Sequence, residues 1–249
     1  MDSIRPLIEK ARLSTGNIRN CDPGTRDEVL RDLAAALQEH RGMILKLNRQ
    51  DVANGKAMHL SPKMMERLQL DDIRLRNISG LLAKLPDIPD LAFYNLRLKQ
   101  ADKNIFSGTP GVAGIIYESC PFITAVAAGM SVKAGSVIVL RGGKEALHSN
   151  TAIASIFCDI LEKHGLPRET VTLIPSADRV SMTELIQLKD LVDIIIPQGS
   201  EGLIQYVENN SKIPVVSGYH GLFDLCVDSK MQIDSAVEQL LSFNGGSGT

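Results

Sequence analysis

The sequence predicts an α/β protein: a doubly wound, mostly parallel sheet with an N-terminal helical layer and a protruding β-hairpin. Two observations predict this fold. Up to about Pro86 apolar residues recur at helical spacing, whereas after Pro110 short β-branched runs alternate with helical stretches. Repeated alternation of strand and helix is typical of a parallel sheet covered on both faces. We therefore expect the sheet to span residues 110–244, with the helices of residues 1–90 packed against it.

The N-terminal layer is predicted to consist of amphipathic helices. From Arg26 to Lys46 the apolar positions fall largely on one face, and acidic and basic residues occupy the other. The apolar positions are Val29, Leu30, Leu33, Leu37, Ile44 and Leu45. Shorter helices are predicted from Pro62 to Leu68, where Ser61 is a candidate N-cap, and from Asp71 to Lys84.

A hairpin is predicted after Pro86 and Pro89 end the helical pattern. Between Leu91 and Phe106, apolar and polar residues alternate on either side of a turn at residues 101–104. We assign residues 91–108 to this exposed hairpin.

The remaining elements follow from the alternation after Pro110. The predicted strands are residues 112–117, 136–140, 170–174, 192–197, 214–217 and 223–227. The predicted helices are residues 124–133, 145–164, 181–188, 201–209 and 234–241. Residues 245–249, Gly-Gly-Ser-Gly-Thr, offer nothing to pack and are interpreted as a flexible linker or a truncation point.

Charge and cysteine usage exclude several classes of partner. Among 249 residues, 27 basic side chains balance 29 acidic ones to a net charge of −2, so no overall basic field would draw the chain to nucleic acid or to an acidic membrane. The 4 cysteines are far apart, which excludes a zinc ribbon and a dithiol motif, and no His, Asp or Glu spacing indicates a metal site. With no signal peptide before the first segment, a cytoplasmic protein is the expectation.

Ligands of open α/β sheets bind beyond the carboxyl ends of the strands, so the residues that follow each strand are the candidates for a site. After the second strand, Gly143 permits a tight turn, Lys144 offers a cation for a phosphate or a ribose, and Glu145 offers an acceptor for ribose hydroxyls. Gly199 and Ser200 begin a helix whose backbone N–H groups suit a pyrophosphate. Together these residues indicate a dinucleotide site, although a Gly-Gly-Lys turn also occurs in many ordinary connections and no Gly-x-Gly-x-x-Gly fingerprint is present.

Four further residues are candidates for a substrate or nicotinamide pocket: Cys120, Phe122, Tyr219 and His220. Cys120 is either a substitute nucleophile or a small residue that fills a turn, and the second interpretation is favoured because no adjacent base is evident. His220 either contacts a ligand or is a solvated loop residue. No catalytic residue is assigned within the chain.

Several segments resemble the γ-glutamyl phosphate reductases, also called glutamate-5-semialdehyde dehydrogenases, of the aldehyde dehydrogenase superfamily. The block Leu-Arg-Gly-Gly-Lys-Glu-Ala-Leu-His-Ser-Asn at 140–150 is the most specific of them. The others are residues 47–52, 111–119, 192–200, 212–216 and 227–228. The resemblance covers nearly the whole chain in order.

The resemblance implies the cofactor-binding domain, residues 1–244, of an NADPH-dependent oxidoreductase of proline biosynthesis. It implies Lys144 and Glu145 near the adenosine ribose and its phosphate, Gly199 and Ser200 at the pyrophosphate, and homo-oligomers formed through the 91–108 hairpin. In such enzymes a cysteine thiolate attacks γ-glutamyl phosphate, and hydride from NADPH reduces the thioester to glutamate 5-semialdehyde.

The sequence departs from the family pattern in three places. The family's nucleophilic cysteine lies in a Cys-Asn dipeptide beyond the last predicted helix, and none of the 4 cysteines here occupies that position. We therefore expect no catalytic domain in this chain and no turnover by the chain alone. Phe122 stands where the family has an Asn or Asp, and residues 221–224 differ from the family's Gly-x-Cys-His. Two alternatives stay open: a non-catalytic nucleotide-binding or oligomerising relative, and an aldehyde dehydrogenase-like enzyme for another acyl substrate.

Overall fold

Four parallel strands form the sheet at the centre of the protein. The computed structural model describes residues 3–88, 109–176 and 178–217. The strands are β1 (Val112–Tyr117), β2 (Val137–Arg141), β3 (Val171–Leu173) and β4 (Ile194–Gln198), in the spatial order β3-β2-β1-β4. Gly114 of β1 pairs with Val139 of β2 on one side and with Ile195 of β4 on the other. All six residues of β1 are buried, as expected for a central strand covered on both faces.

The helices of the described residues confirm the α/β class. Six precede the sheet: α1 (Arg5–Leu13), α2 (Thr15–Asn20), α3 (Pro23–Glu39), α4 (Arg41–Ala57), α5 (Pro62–Leu68) and α6 (Asp72–Lys84). Four connect or follow the strands: α7 (Pro121–Ala134), α8 (Leu147–Lys163), α9 (Arg179–Leu185) and α10 (Glu201–Asn210). The N-cap prediction at Ser61 is confirmed, since its hydroxyl accepts a hydrogen bond from the Met64 amide at 3.3 Å.

The order of the strands creates a switch point between β1 and β4. The chain moves from β1 to β2 to β3 through α7 and α8, and then returns through α9 to add β4 on the far side of β1. The rule that such crossovers are right-handed predicts α7 and α8 on one face of the sheet and α9 on the other. The crevice at such a reversal of strand order is where open α/β sheets bind ligands.

Two predicted elements differ from the structure. The amphipathic stretch predicted from Arg26 to Lys46, with its apolar residues largely on one face, is divided between two helices that meet at His40, whose backbone (φ −87°, ψ 9°) leaves the helical conformation. Residues 38–42 are all polar or glycine, so no apolar face holds the chain in one helix there. The strand predicted at 214–217 is a single parallel bridge between Ile195 and Val215, because Pro214 has no N–H to donate to a ladder.

The N-terminal layer meets the sheet in two ways. Helix α1 contacts β2 and β3 directly, whereas α3 and α4 pack on the helices that cover the sheet, α3 on α7 and α8 and α4 on α8. Tyr117 and Phe157 are the largest fully buried side chains of the common core. The predicted layer is therefore an outer layer on top of the sheet's own helices for most of its length.

Some sequence predictions concern residues outside the described ranges. These are the 91–108 hairpin, the strand at 223–227, the helix at 234–241, the 245–249 tail, and the candidate residues Tyr219 and His220. Within the described residues, no helix combines the length and the apolar character needed to cross a membrane.

Candidate functional site

A cleft of about 1220 Å³ opens at the carboxyl ends of β1, β2 and β4, at the switch point of the sheet. Its charged lining residues are Glu118, Arg141, Lys144, Glu145, Asp178 and Arg179. Gly143 and Ser200 also line it, so the cleft brings together four of the predicted dinucleotide residues: Gly143, Lys144, Glu145 and Ser200. The fifth, Gly199, directly precedes Ser200.

Lys144 is a cation that remains available to a ligand. It begins a short 3₁₀ turn, Lys144–Ala146, directly after the glycines that follow β2. Its side chain is exposed, and it makes no hydrogen bond or ion pair with any residue that the structure describes. An ammonium group in this state suits a phosphate that enters from solvent.

Glu145 faces inward from the same turn. It is buried, and its Oε1 accepts hydrogen bonds from the Ser119 amide at 2.6 Å and from the Ser119 hydroxyl at 2.8 Å. Gly143 lies so close to this carboxylate that a Cβ at position 143 would overlap it, which explains the glycine. In the structure, Glu145 binds Ser119 in the loop after β1, whereas the sequence suggested an acceptor for ribose hydroxyls.

Gly199 and Ser200 form the N-terminal end of α10, where Glu118 already contacts them. The Ser200 amide donates to Glu118 Oε2 at 2.8 Å, and the Ser200 hydroxyl is 3.4 Å from Glu118 Oε1. A Cβ at Gly199 would come within 2.6 Å of the same carboxylate. The helix end therefore binds an anionic group in this structure, as its exposed amides and dipole favour.

Two cations of the cleft were not predicted from the sequence. Arg141 ends β2, is buried, and donates from Nη2 to the Asp178 carbonyl at 2.6 Å. Burial lowers its pKa, and the carboxylates of Asp178, Glu145 and Glu118 oppose that shift. Arg179 begins α9, is exposed, and makes no side-chain hydrogen bond or ion pair with the described residues. The sequence signal for Arg141 was its position directly after an apolar run predicted to be a strand.

Cys120 and Phe122 lie in a second cavity of about 390 Å³, formed by residues of α5 and α6 and by the start of α7. Phe122 is 39% exposed at this cavity. Burial raises the pKa of the Cys120 thiol, although the Ile123 amide and Arg67 act in the opposite direction. A raised thiol pKa reduces the thiolate fraction, which favours the interpretation of Cys120 as a packing residue.

The described residues contain no group of His, Cys, Asp and Glu side chains arranged to hold a metal ion. The cleft instead offers cations, one helix N-terminus and acidic groups that already have partners. This arrangement can bind and orient phosphate groups of an extended ligand.

Comparisons with known proteins relate the chain to one group of enzymes. No family model matches the chain. The chain is 35% identical over 245 residues to the γ-glutamyl phosphate reductase of Geobacter sp. (strain M21), a match that covers 97% of this chain and 59% of that protein. It therefore spans less than two thirds of the length of this curated relative.

Solved structures show the same relationship. The crystal structure of γ-glutamyl phosphate reductase from Thermotoga maritima superposes with a TM-score of 0.76 at 26% identity, covering 87% of this chain and 53% of that chain. A glyceraldehyde-3-phosphate dehydrogenase from Methanocaldococcus jannaschii, solved in complex with NADP, gives a TM-score of 0.63 at 17% identity, covering 86% of this chain and 46% of that one. The second likeness shows a common fold alone.

Proposed function

The chain is a homologue of the N-terminal portion of the γ-glutamyl phosphate reductases, and we propose that it forms the part of such an enzyme that binds the nicotinamide dinucleotide. The reaction of the proposed enzyme is the reduction of γ-glutamyl phosphate to glutamate 5-semialdehyde, a step of proline biosynthesis. The observation that carries the proposal is the cleft at the switch point, which collects Lys144, Arg179 and the N-terminus of α10.

The residues of the cleft suit a dinucleotide in size and in charge. Its volume of about 1220 Å³ exceeds the roughly 300–1,000 Å³ of most small-ligand pockets, as an extended ligand with two nucleotides requires. The N-terminal amides of α10 would bind the pyrophosphate, and the cations around Lys144 would bind the adenosine end. When bound, the nicotinamide supplies the hydride, while this chain's residues bind and orient the cofactor.

NADP(H) is the form of the cofactor that we propose. Lys144 and Arg179 are exposed cations without partners among the described residues, and both line the cleft. Two such cations would balance the extra charge of a 2′-phosphate, which NADH lacks.

These residues alone are proposed to bind the cofactor without completing the reaction. The 249 residues contain no Cys-Asn dipeptide, because the 4 cysteines are followed by Asp22, Pro121, Asp159 and Val227 in turn. A thiolate nucleophile is needed for the thioester route of the proposed enzyme.

The test is a titration of the 249-residue protein with NADPH and with NADH, wild type against Lys144→Ala. Loss of a charged hydrogen bond worth about 1.4 kcal/mol weakens NADPH binding about tenfold, and NADH binding should change much less. Lys189→Ala removes a lysine from the opposite end of the sheet, before β4, and should leave both affinities unchanged.

Three outcomes would contradict parts of the proposal. An NADPH affinity that does not change in Lys144→Ala excludes the role of Lys144, and equal losses for NADPH and NADH exclude its contact with the 2′-phosphate. The same preparation should not reduce NADP⁺ in the presence of glutamate 5-semialdehyde and inorganic phosphate, the two substrates of the reverse reaction, and measurable turnover would show that these residues suffice for catalysis.

A further inference from the structure

The second cavity, named here the Arg67 cavity, is lined by cations that do not line the dinucleotide cleft. Lys63, Arg67 and Arg74 line it together with one carboxylate, Glu66, and with Cys120 and Phe122. At about 390 Å³ it can hold a small organic molecule and is too small for a dinucleotide.

Arg67 lines the cavity without a partner for its side chain in the part of the chain that the structure describes. It is half-buried, and its Nε is fully buried without a hydrogen-bond partner among the described residues. Neither Arg67 nor Lys63 makes a side-chain hydrogen bond or an ion pair with any described residue. The Nη groups of Arg67 are the donors that remain available to an anion in the cavity, since they have no partner among the described residues.

Arg74 is different, because the protein already fixes it. Its Nη1 donates to the Gln69 carbonyl at 2.8 Å and to the Glu66 carbonyl, and its Nη2 is 3.9 Å from Glu66 Oε1. Arg74 thus contributes a fixed positive charge, whereas Arg67 and Lys63 contribute donors that are available to a ligand.

The start of α7 adds a second source of positive potential. Cys120 is the N-cap of this 14-residue helix and makes no side-chain capping hydrogen bond. Cys120 and Phe122 both line the cavity, so the uncapped end of α7 faces it. The N-terminal N–H groups and the dipole of a helix favour an anion at this end.

The cavity also lies next to the dinucleotide cleft along the chain. Glu118 lines the cleft and Cys120 lines the Arg67 cavity, so one short segment after β1 separates the two. A small molecule in the cavity and a dinucleotide in the cleft would approach each other across the end of the same strand.

We propose that the Arg67 cavity is the subsite that binds an oxyanion group, a phosphate or a carboxylate, of the small acyl substrate, with Arg67 as its main donor. This role rests on the proposed function for the identity of the substrate. The binding of an oxyanion itself rests only on the charges and donors of the cavity. An oxyanion accepts two parallel hydrogen bonds from a guanidinium group, which a neutral ligand does not match as well.

Cys120 provides a reporter for the test because it lines the cavity. The wild-type 249-residue protein is alkylated with iodoacetamide, and the rate at each cysteine is followed by mass spectrometry in the presence of inorganic phosphate, L-glutamate or sodium chloride of matched ionic strength. We expect phosphate or glutamate to slow the alkylation of Cys120 several-fold and saturably. Cys21 and Cys158, which lie outside the cavity, serve as internal controls and should not be protected.

Variants separate Arg67 from general effects of charge. Arg67→Gln should abolish the protection of Cys120, Arg67→Lys should keep part of it, and Arg76→Gln, an exposed arginine of α6 outside the cavity, should keep all of it. Because Arg67 itself affects the thiol, the measured quantity is the ratio of rates with and without ligand for each variant. A thermal melt confirms that each variant is folded.

The outcomes show whether the cavity binds a phosphate or a carboxylate. They also separate a failure of the oxyanion subsite from a failure of the proposed dinucleotide site. Protection by phosphate alone assigns the subsite to a phosphoryl group, and protection by glutamate alone assigns it to a carboxylate. If neither ligand protects Cys120, or if Arg67→Gln is protected like the wild type, the subsite is excluded. NADPH titration of Arg67→Gln should match the wild type, so a chain that binds NADPH without protection of Cys120 contradicts this inference and leaves the proposed function standing.

Discussion

Glu118 places a carboxylate at the N-terminal end of α10, where we propose the pyrophosphate binds. Its Oε2 accepts from the Ser200 amide at 2.8 Å, so protein and ligand would compete for the same donor. A bound pyrophosphate would also repel this carboxylate. Glu118 must therefore release Ser200 before the cofactor binds.

The variant Glu118→Gln tests this competition. The amide carries no charge and binds the Ser200 amide more weakly, so NADPH binding should become about fivefold tighter, equivalent to about 1 kcal/mol for the hydrogen bond that no longer has to be broken. Glu208→Gln, near the opposite end of α10, is the control and should not change the affinity. Weaker binding of NADPH by Glu118→Gln would show instead that Glu118 contacts the cofactor.

At the scale of single residues, the sequence predicted those residues of the cleft that directly follow a strand in the chain. Lys144 and Ser200 follow strands directly, so the rule for open α/β sheets was sufficient to find them. Glu145 also follows a strand, but its direction is decided by Ser119 and by the space beside Gly143, which no local pattern shows. Arg179 begins α9, which follows the edge strand β3, and it lines the same cleft.

At the scale of elements, the N-terminus of α8 is closed by the protein itself. Asp51 of α4 is buried, and its two carboxylate oxygens accept from the amides of His148 at 3.2 Å and Ser149 at 2.7 Å. The His148 ring and the Ser149 hydroxyl bind the same carboxylate. Asn48, one turn earlier, donates to the Ser149 hydroxyl at 3.0 Å and to the Leu68 carbonyl at 2.8 Å. This helix end therefore joins α4 to α8 and is not available to a phosphate.

The variant Asp51→Ala should destabilise the fold. It leaves two N-terminal amides of α8 and a buried hydroxyl without their acceptor, which costs roughly 2–4 kcal/mol in the free energy of unfolding. Urea unfolding measures this loss, and Arg49→Ala, an exposed position of the same helix, should change the free energy by less than about 0.5 kcal/mol. A similar small change in Asp51→Ala would show that the Asp51 contacts do not hold the two helices together.

The elements that the sequence predicted best are those with a local signal at both ends. Helix α5 has the predicted bounds because Ser61 and Pro62 mark its start and Gln69 ends it in an extended conformation. The break at His40 was missed because Ile44 and Leu45 continue the apolar spacing of α3 by coincidence, although they belong to a new helix. Periodicity reports which residues are buried and does not report whether they share one axis.

At the scale of the whole molecule, two carboxylates of the α/β part, Asp193 and Glu184, bind helix α1 of the N-terminal layer. Asp193, just before β4, accepts from Arg12 Nη1 at 2.7 Å and from the Val112 amide at 2.8 Å. Glu184 of α9 accepts from the amides of Ile4 and Arg5, each at 3.2 Å, and so caps the start of α1. Helix α1 is thereby fixed at both of its ends.

Both carboxylates have a lowered pKa in the folded protein. Burial raises the pKa of Asp193, but Arg12 and the Val112 amide outweigh burial, and the net shift is downward. Burial likewise acts to raise the pKa of Glu184, and the hydrogen bonds from Ser3, Ile4 and Arg5 reverse it. A carboxylate with a lowered pKa stabilises the fold above its pKa in the unfolded chain, about 4, and this stabilisation is lost as the pH falls through the folded pKa.

Acid should therefore weaken the contribution of these contacts with α1 to the stability of the fold. The variant Asp193→Asn tests this expectation for one of the two carboxylates. The variant keeps an acceptor but loses the charge, so its urea midpoint should lie below that of the wild type at about pH 7. The difference should narrow as the pH falls from about 4, the pKa of the carboxyl in the unfolded chain, through the lowered pKa of the folded protein, below which the wild-type carboxyl is uncharged too. Asp87→Asn, an exposed residue with no side-chain hydrogen bond or ion pair to the described residues, should match the wild type at both pH values. A difference between Asp193→Asn and the wild type that stays constant from neutral to acid pH would show that the charge of Asp193 does not contribute, and that shape and packing alone hold α1 against the sheet.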